Sequence, residues 1–202
     1  MMVMMSGPAT KSMEPERPLP LEAAILERCR AQDPMAFRAF VVRHERMVFA
    51  LLSRMLGRRP EVEDLAQETF VRAYRAFPGF DPHGTAKVST WLLTIATRLA
   101  LDLKKRRTVD AGPIEEADQV SAERPSTPEL RLVRRQLGHA IAEAAATLPD
   151  DQRAALVLVE LHGLSLAEVG EALGVPEATA KTKLFRAREK MRAAREPEWR
   201  RS

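Results

Sequence analysis

The chain has 202 residues, enough for one large domain or two small ones, and 30% of them are charged while only 5% are aromatic. Ala, Leu, Arg and Glu dominate, which favours helices over strands. No apolar run approaches the roughly 18–20 residues that a membrane helix needs, and the single cysteine, Cys29, excludes an intramolecular disulfide. A soluble protein of a reducing cytoplasm is the expectation. The net charge of +4 is modest, so partners must be read from where the bases sit.

Residues 1–20 carry Pro8, Pro15, Pro18 and Pro20 and lack both a basic leader and a sustained apolar stretch, so a disordered lead-in is expected. Beyond Pro20 the apolar residues recur at helical spacing. The pattern predicts helices over 20–31, 34–57, 60–77 and 87–107, then 128–147, 149–162, 165–173 and 176–195. Asp33-Pro34, Gly57 with Pro60, Pro78-Gly79, Pro149, Gly163 and Gly174 before Pro176 mark the breaks. Cys29 lies in the first helix and suits a buried structural position better than an oxidant sensor.

In the helix over 60–77, Val62, Ala66, Phe70, Ala73 and Phe77 share one side. Glu61, Asp64, Gln67, Glu68, Val71 and Arg75 share the other, which is either ordinary surface or a docking face for a basic partner. The loop 78–86 is long for a bundle connection and rich in Gly and Pro. In the helix over 87–107, Val88, Leu92, Ile95, Ala96, Leu99 and Leu103 form a core stripe. The reverse side presents Lys87, Thr90, Thr94, Thr97, Arg98, Leu101 and Lys105, with Trp91 at the margin. Bases closing a helix stabilise its dipole; hydroxyls, bases and an aromatic on one face also suit single-stranded nucleic acid, which needs backbone attraction and a stacking surface.

Between Thr108 and Glu129 the periodicity lapses. Asp110, Glu115, Glu116, Asp118, Glu123 and Glu129 face one base, Arg124, among Gly112, Pro113, Pro125 and Pro128, the composition of an extended acidic linker.

The segment 163–192 carries the most specific signal. Ser165 and Glu168 form an S-x-x-E capping box, the helix after it buries Leu166, Val169 and Leu173, and Gly174-Val175-Pro176 turns the chain. The next helix places Ala180, Leu184, Ala187 and Met191 on a core face, and Thr179, Thr182, Arg186 and Lys190 opposite, flanked by Lys183 and Phe185. Nine Lys or Arg stand against three Glu over 181–202. A core stripe backing a basic stripe after such a turn is what a helix-turn-helix needs to reach phosphates and base edges.

Catalysis finds no footing. Ser6 and Ser12 fall in the lead-in, and Ser53, Ser89 and Ser165 have helical roles, so a recombinase-like nucleophile is not expected. His44, His83, His139 and His162 are scattered, so neither a metal nor another cofactor is expected, and no small-molecule substrate. The chief alternative is a one-component helix-turn-helix transcription regulator, but no ligand or phosphoacceptor domain precedes the motif.

DPMAFRAFVVRHERMVFALLSRMLG, EDLAQETFVRAYRAF and STWLLTIATRLALDLKKRR resemble the second conserved region of the extracytoplasmic-function sigma factors. LPDDQRAALVLVELHGLSLAEVGEALGVPEATAKTKLFRARE resembles their fourth. The resemblance implies an all-α protein of two small helical domains, 21–107 and 131–196, joined by a linker over 108–130 and ending in a tail over 197–202. It implies a non-enzymatic subunit that takes core RNA polymerase to promoter DNA. Asp64, Leu65, Gln67 and Glu68 would dock on the β′ clamp coiled coil. Phe80, Lys87, Thr90, Trp91, Thr94, Arg98 and Lys105 would engage the −10 element, the 78–87 loop holding a base flipped from the non-template strand. Thr179, Lys181, Thr182, Lys183, Phe185, Arg186 and Lys190 would read the −35 element while the rest of that domain meets the polymerase β-flap. The linker would run near the RNA exit path. The resemblance also implies an anti-sigma factor, which would hold the protein at the inner membrane. Two departures stand out: Ala178-Thr179-Ala180 replaces the usual Gly-Thr-Val, and Gly170 replaces a common Ala.

Overall fold

The computed structural model describes residues 21–57, 59–82, 87–110 and 143–195. The lead-in, most of the linker, most of the helix expected over 128–147 and part of the 78–87 loop lie outside the described residues.

Short polar side chains and glycines set the helix ends. Helix α1 (Leu21–Arg30) closes at a turn in which Gln32 takes a positive φ of 57°. Helix α2 (Pro34–Leu56) starts where the Asp33 carboxylate accepts from the Met35 and Ala36 amides at 2.8 and 3.2 Å. Pro34 stands in the first turn, where its missing N–H costs nothing. The Arg28 guanidinium grips the same carboxylate at 2.6 Å and holds its pKa below the ordinary value, helped by the capping amides. Helix α3 (Glu61–Ala76) lacks a side-chain cap, but Glu61, Glu63 and Asp64 in its first turn meet the positive end of its dipole. A 3-10 turn, Phe77–Gly79, leads towards helix α4 (Val88–Asp110), which runs three residues past the expected end at 107.

Phe40 is the centre of the N-terminal unit. It is 2% exposed, and the rings of Phe37, His44, Phe70 and Phe77 surround it with centroids 4.6–6.4 Å away. Val48, Leu51, Leu52 and Met55 of α2 continue this core against Val62, Phe70 and Ala73 of α3 and Leu92, Leu93 and Ala96 of α4. Thr69 and Thr94, buried among them, each donate a hydroxyl hydrogen bond to the carbonyl four residues back, Leu65 and Thr90.

The C-terminal unit is built from helices α5 (Asp150–His162), α6 (Leu166–Leu173) and α7 (Glu177–Arg195). Ser165 and Glu168 close the capping box in both directions: the Glu168 amide donates to Ser165 Oγ, and the Ser165 amide donates to Glu168 Oε2. Gly174 ends α6 in the left-handed region at φ 67°, and the Val175 amide donates to the Gly170 carbonyl at 2.9 Å. Ala180, Leu184 and Ala187 of α7 are buried as the wheel requires, with Met191 half-buried below them.

Gly170 explains itself here. A Cβ at that position would stand 2.8 Å from the Val175 carbonyl oxygen, a backbone atom that cannot swing away. The helix-turn-helix is therefore closed more tightly than an alanine permits. Gly170→Ala is expected to lower stability by about 1–2 kcal/mol in urea denaturation, overpacking outweighing the helix propensity that alanine gains.

The two units are not held apart as beads on a linker. Their buried apolar residues form one continuous cluster, with α6 lying on α4 and α5 against α2. Polar ties cross the same boundary. Arg153 of α5 donates to the Met55 carbonyl at the end of α2 at 3.1 Å, while its other nitrogens bond the carbonyls of Ala145 and Ala146. Lys104 of α4 pairs with Asp150 of α5, and burial pulls the Lys104 pKa below its usual value although Asp150 pushes it up. No strand occurs among the described residues, and none of their helices is long and apolar enough to cross a membrane.

Candidate nucleic-acid and polymerase interfaces

Helix α7 carries the basic face intact. Lys181, Thr182, Phe185, Arg186 and Lys190 are exposed, Phe185 at 63% although it is aromatic. An exposed ring set among basic side chains is free to meet base edges and thymine methyls in a major groove. Thr179 is half-buried near the start of the helix, and Thr182 donates its hydroxyl to the Ala178 carbonyl at 3.0 Å. Lys183 departs from the expected set: it is half-buried and pairs with Asp151 of α5. Burial pushes the Asp151 carboxyl up, but the Lys183 ammonium and nearby backbone amides together hold it below the ordinary value. Lys183 thus braces α7 against α5. Arg188 does likewise through Glu160, at 2.6 Å.

On α3, Glu63, Asp64, Gln67, Val71 and Arg75 are exposed along one face, with Glu68 beside them paired to Arg72 at 2.7 Å. Leu65, expected on this face, points into the core instead. Its position three residues after Val62 and four before Thr69 puts it on the buried side, where it supports the acidic face from beneath. Glu61 is taken up by Arg107 of α4.

The α4 set is where structure and expectation differ most. Lys87 and Lys105 are exposed, and Arg98 is exposed too but donates to the Glu171 carbonyl of α6 at 2.8 Å. Thr90 and Thr94 are each only 6% exposed, and Thr97 is fully buried. Helix α6 lies against α4 and reaches Thr90: Thr90 Oγ1 donates to Glu168 Oε1 at 2.9 Å, 78 residues away in the chain. The Ser165 amide and hydroxyl hold the Glu168 carboxyl below its usual pKa, and Thr90 and the Lys87 charge add to this. Trp91 is half-buried on Phe77 and Phe80, at 5.2 and 5.0 Å between centroids. Phe80 is buried rather than displayed, forming the floor under the Trp91 ring. Residues 83–86 of the loop expected to hold a flipped base are outside the described residues.

The sequence reading missed Glu168, Glu171, Asp150 and Arg153 as residues joining the two units. Glu168 was legible as a capping residue, but its second oxygen bonds a partner that helical spacing cannot reveal. Among the described residues no group of three or more His, Cys, Asp or Glu is placed to hold a metal ion.

Comparison with known proteins places the chain in a family. Sigma-70 region 2 matches residues 40–109 and Sigma-70, region 4 matches residues 138–191. The ECF RNA polymerase sigma factor SigW of Bacillus subtilis is 35% identical over 176 residues, covering 83% of this chain and 92% of that protein. The ECF RNA polymerase sigma-E factor of Escherichia coli is 32% identical over 180 residues, covering 83% and 91%. The fold is shared with CnrH, solved with the cytosolic domain of CnrY, at a TM-score of 0.59, 24% identity and coverage of 85% and 95%. It is shared also with the sigma factor RpoE of Bartonella quintana, solved with the anti-sigma factor NepR, at 0.62, 21% identity and coverage of 78% and 95%. The shared regions, their order and the identities over nearly whole chains agree with the helical architecture: this chain belongs to the ECF family of RNA polymerase sigma factors, the non-enzymatic alternative sigma factors that bind core polymerase and direct transcription from promoters.

Proposed function

We propose that three faces of the molecule divide the work of promoter selection. The exposed basic face of α7, with Thr179, Lys181, Thr182, Phe185, Arg186 and Lys190, reads the −35 element; Lys183 contributes by bracing that helix. The Asp64, Gln67 and Glu68 face of α3 docks on the β′ clamp coiled coil. Lys87, Thr90, Trp91, Thr94, Arg98 and Lys105 of α4, with Phe80 beneath Trp91, engage the −10 element. In this division the chain comprises a lead-in over 1–20, a polymerase-docking and −10 domain over 21–107, a linker over 108–130, a −35 domain over 131–196 that also meets the β-flap, and a tail over 197–202.

The observation that carries the reading is the solvent-facing row of Lys181, Thr182, Phe185, Arg186 and Lys190 on the second helix of a capped helix-turn-helix. Its charge attracts phosphates, and its geometry fits a major groove. An anti-sigma factor is a further part of the proposal, supported by the fold shared with a sigma factor solved alongside one; in this reading that partner holds the protein at the inner membrane.

Run-off transcription on a pooled promoter library, with purified bacterial core polymerase and with or without this protein, tests the assignment. New transcripts starting at fixed distances from shared −35 and −10 elements are expected, and Arg186→Ala is expected to change which promoters are chosen. If starts are unchanged by the protein, the reading fails and a helix-turn-helix regulator acting alone replaces it.

A further inference from the structure

Helix α2 turns an apolar row to the solvent. Among the described residues, half of the large apolar side chains that stand exposed belong to this one helix: Met35 at 67%, Val42 at 63% and Phe49 at 41%. They lie seven residues apart, so they share one line along the helix, drifting only about 20° per step and spanning about 21 Å. Phe40, His44, Leu51 and Met55 are buried on the opposite side, so the row points away from the core. Three such side chains in line, rather than scattered singly, mark a contact surface.

The residues beside the row say what fits it. Arg38 and Glu45 stand on one flank, Ala39 and Arg46 on the other, all of them exposed, and each pair is again seven residues apart. Arg38, Glu45 and Arg46 form no ion pair with a described residue. A uniformly acidic or basic partner would meet a like charge on this face. A second copy of the same helix does not. With the two helices antiparallel about a two-fold axis at Val42, Met35 of each copy meets Phe49 of the other, and Val42 meets Val42. Like flanks then face each other, so Arg38 of each copy comes opposite Glu45 of the other. On the second flank the aliphatic stem of Arg46 lies over the small Ala39 of the other copy, its guanidinium in water. Only the antiparallel setting gives each Met35 thioether a Phe49 ring to pack on; a parallel pair stacks like on like.

We propose that the outer face of α2 is a docking surface for a second copy of this chain, whose own α2 packs on it antiparallel. The face uses none of the residues assigned above to polymerase or promoter DNA, so the proposal stands or falls independently of that assignment. A contact of one helix face is small, so the dimer is dissociated in dilute solution and forms where free chain accumulates.

Sedimentation velocity of the full chain over a concentration series should show a monomer passing into a dimer. Val42→Glu sets two carboxylates against each other at the axis and should raise the dissociation constant at least about tenfold. Arg38→Glu should do the same by opposing Glu45, and adding Glu45→Arg should return the constant to within about threefold of the parent. In a glutathione buffer Val42→Cys should form a disulfide-linked dimer, because the axis brings its two copies together. Met35→Cys should not, its copies lying about 21 Å apart. Cys29 is buried and gives little background in this exchange. Thermal melting of the dilute variants should match that of the parent, since every changed side chain is exposed.

A monomer at every concentration overturns the proposal, and so does a dimer that Val42→Glu leaves intact, which would use another face. If removal of residues 1–20 turns a monomer into a dimer, that segment covers the row in the full chain and the proposal fails. Linkage through Met35→Cys, or weakening by Arg46→Glu with none by Arg38→Glu, overturns the antiparallel packing in favour of a parallel one. Should Val42→Glu melt early, the exchange of Arg38 and Glu45, which adds no charge at the axis, decides alone.

Discussion

Asp64→Arg together with Glu68→Arg is expected to cut run-off transcription at least about 100-fold while the protein stays folded. Both side chains belong to the outward face of α3, and neither takes part in the buried cluster. Their removal from the fold is cheap: Glu68 loses its pair with Arg72, and an arginine there repels it, an exposed helix-surface effect of about 0.3–0.5 kcal/mol. Their reversal at a polymerase interface is costly, because like charges set against each other across a contact cost several kcal/mol. About 2.7 kcal/mol already corresponds to 100-fold in binding. Gel-shift or fluorescence measurements of core binding, taken beside thermal melting, separate the two effects. Full transcription from a doubly reversed protein would remove α3 from the docking assignment.

Phe40→Ala is expected to have the largest effect on the fold itself, about 3–5 kcal/mol in urea denaturation. The ring is all but inaccessible and touches four other rings drawn from α2, α3 and the 3-10 turn, so its loss leaves a cavity that those neighbours cannot fill without leaving their rotamers. Measured against a domain stability of about 5–15 kcal/mol, the change brings the N-terminal unit near its unfolding threshold. Phe49→Ala is the matched control. That ring sits on the outer side of the same helix and is 41% exposed, so a change within about 0.5 kcal/mol is expected.

Helices α2, α6 and α7 were legible because their ends are announced locally: Asp33 before Pro34, Ser165 with Glu168, Gly174 before Pro176. The α7 faces were legible for a related reason, since a helix packed on one side displays the other. Helix α4 broke that logic. Its threonines read as an outward face by periodicity, yet they are buried, and α6 arrives from far along the chain to bond Thr90. Periodicity identifies a second face but not a second neighbour. The bonds that join the units span 46 to 98 residues (Lys104 to Asp150, Arg98 to Glu171, Thr90 to Glu168, Met55 to Arg153), and no local signal encodes them. Leu65 and Phe80 were assigned to surfaces by resemblance to a motif; the structure puts both in the core, beneath the surfaces their neighbours form.

Cys29 is buried, and burial, with Asp33 adding to it against the opposing Arg28, pushes its thiol up to about 11. At neutral pH only about one such thiol in ten thousand is ionised, and it is the thiolate that attacks peroxides and disulfides. Burial and the raised pKa together make this sulfhydryl a slow target for oxidants while α1 stays seated. The same seclusion makes the residue a stopwatch. An alkylating reagent can modify it only during the moments when α1 lifts away, so the labelling rate counts those openings from inside an otherwise intact molecule.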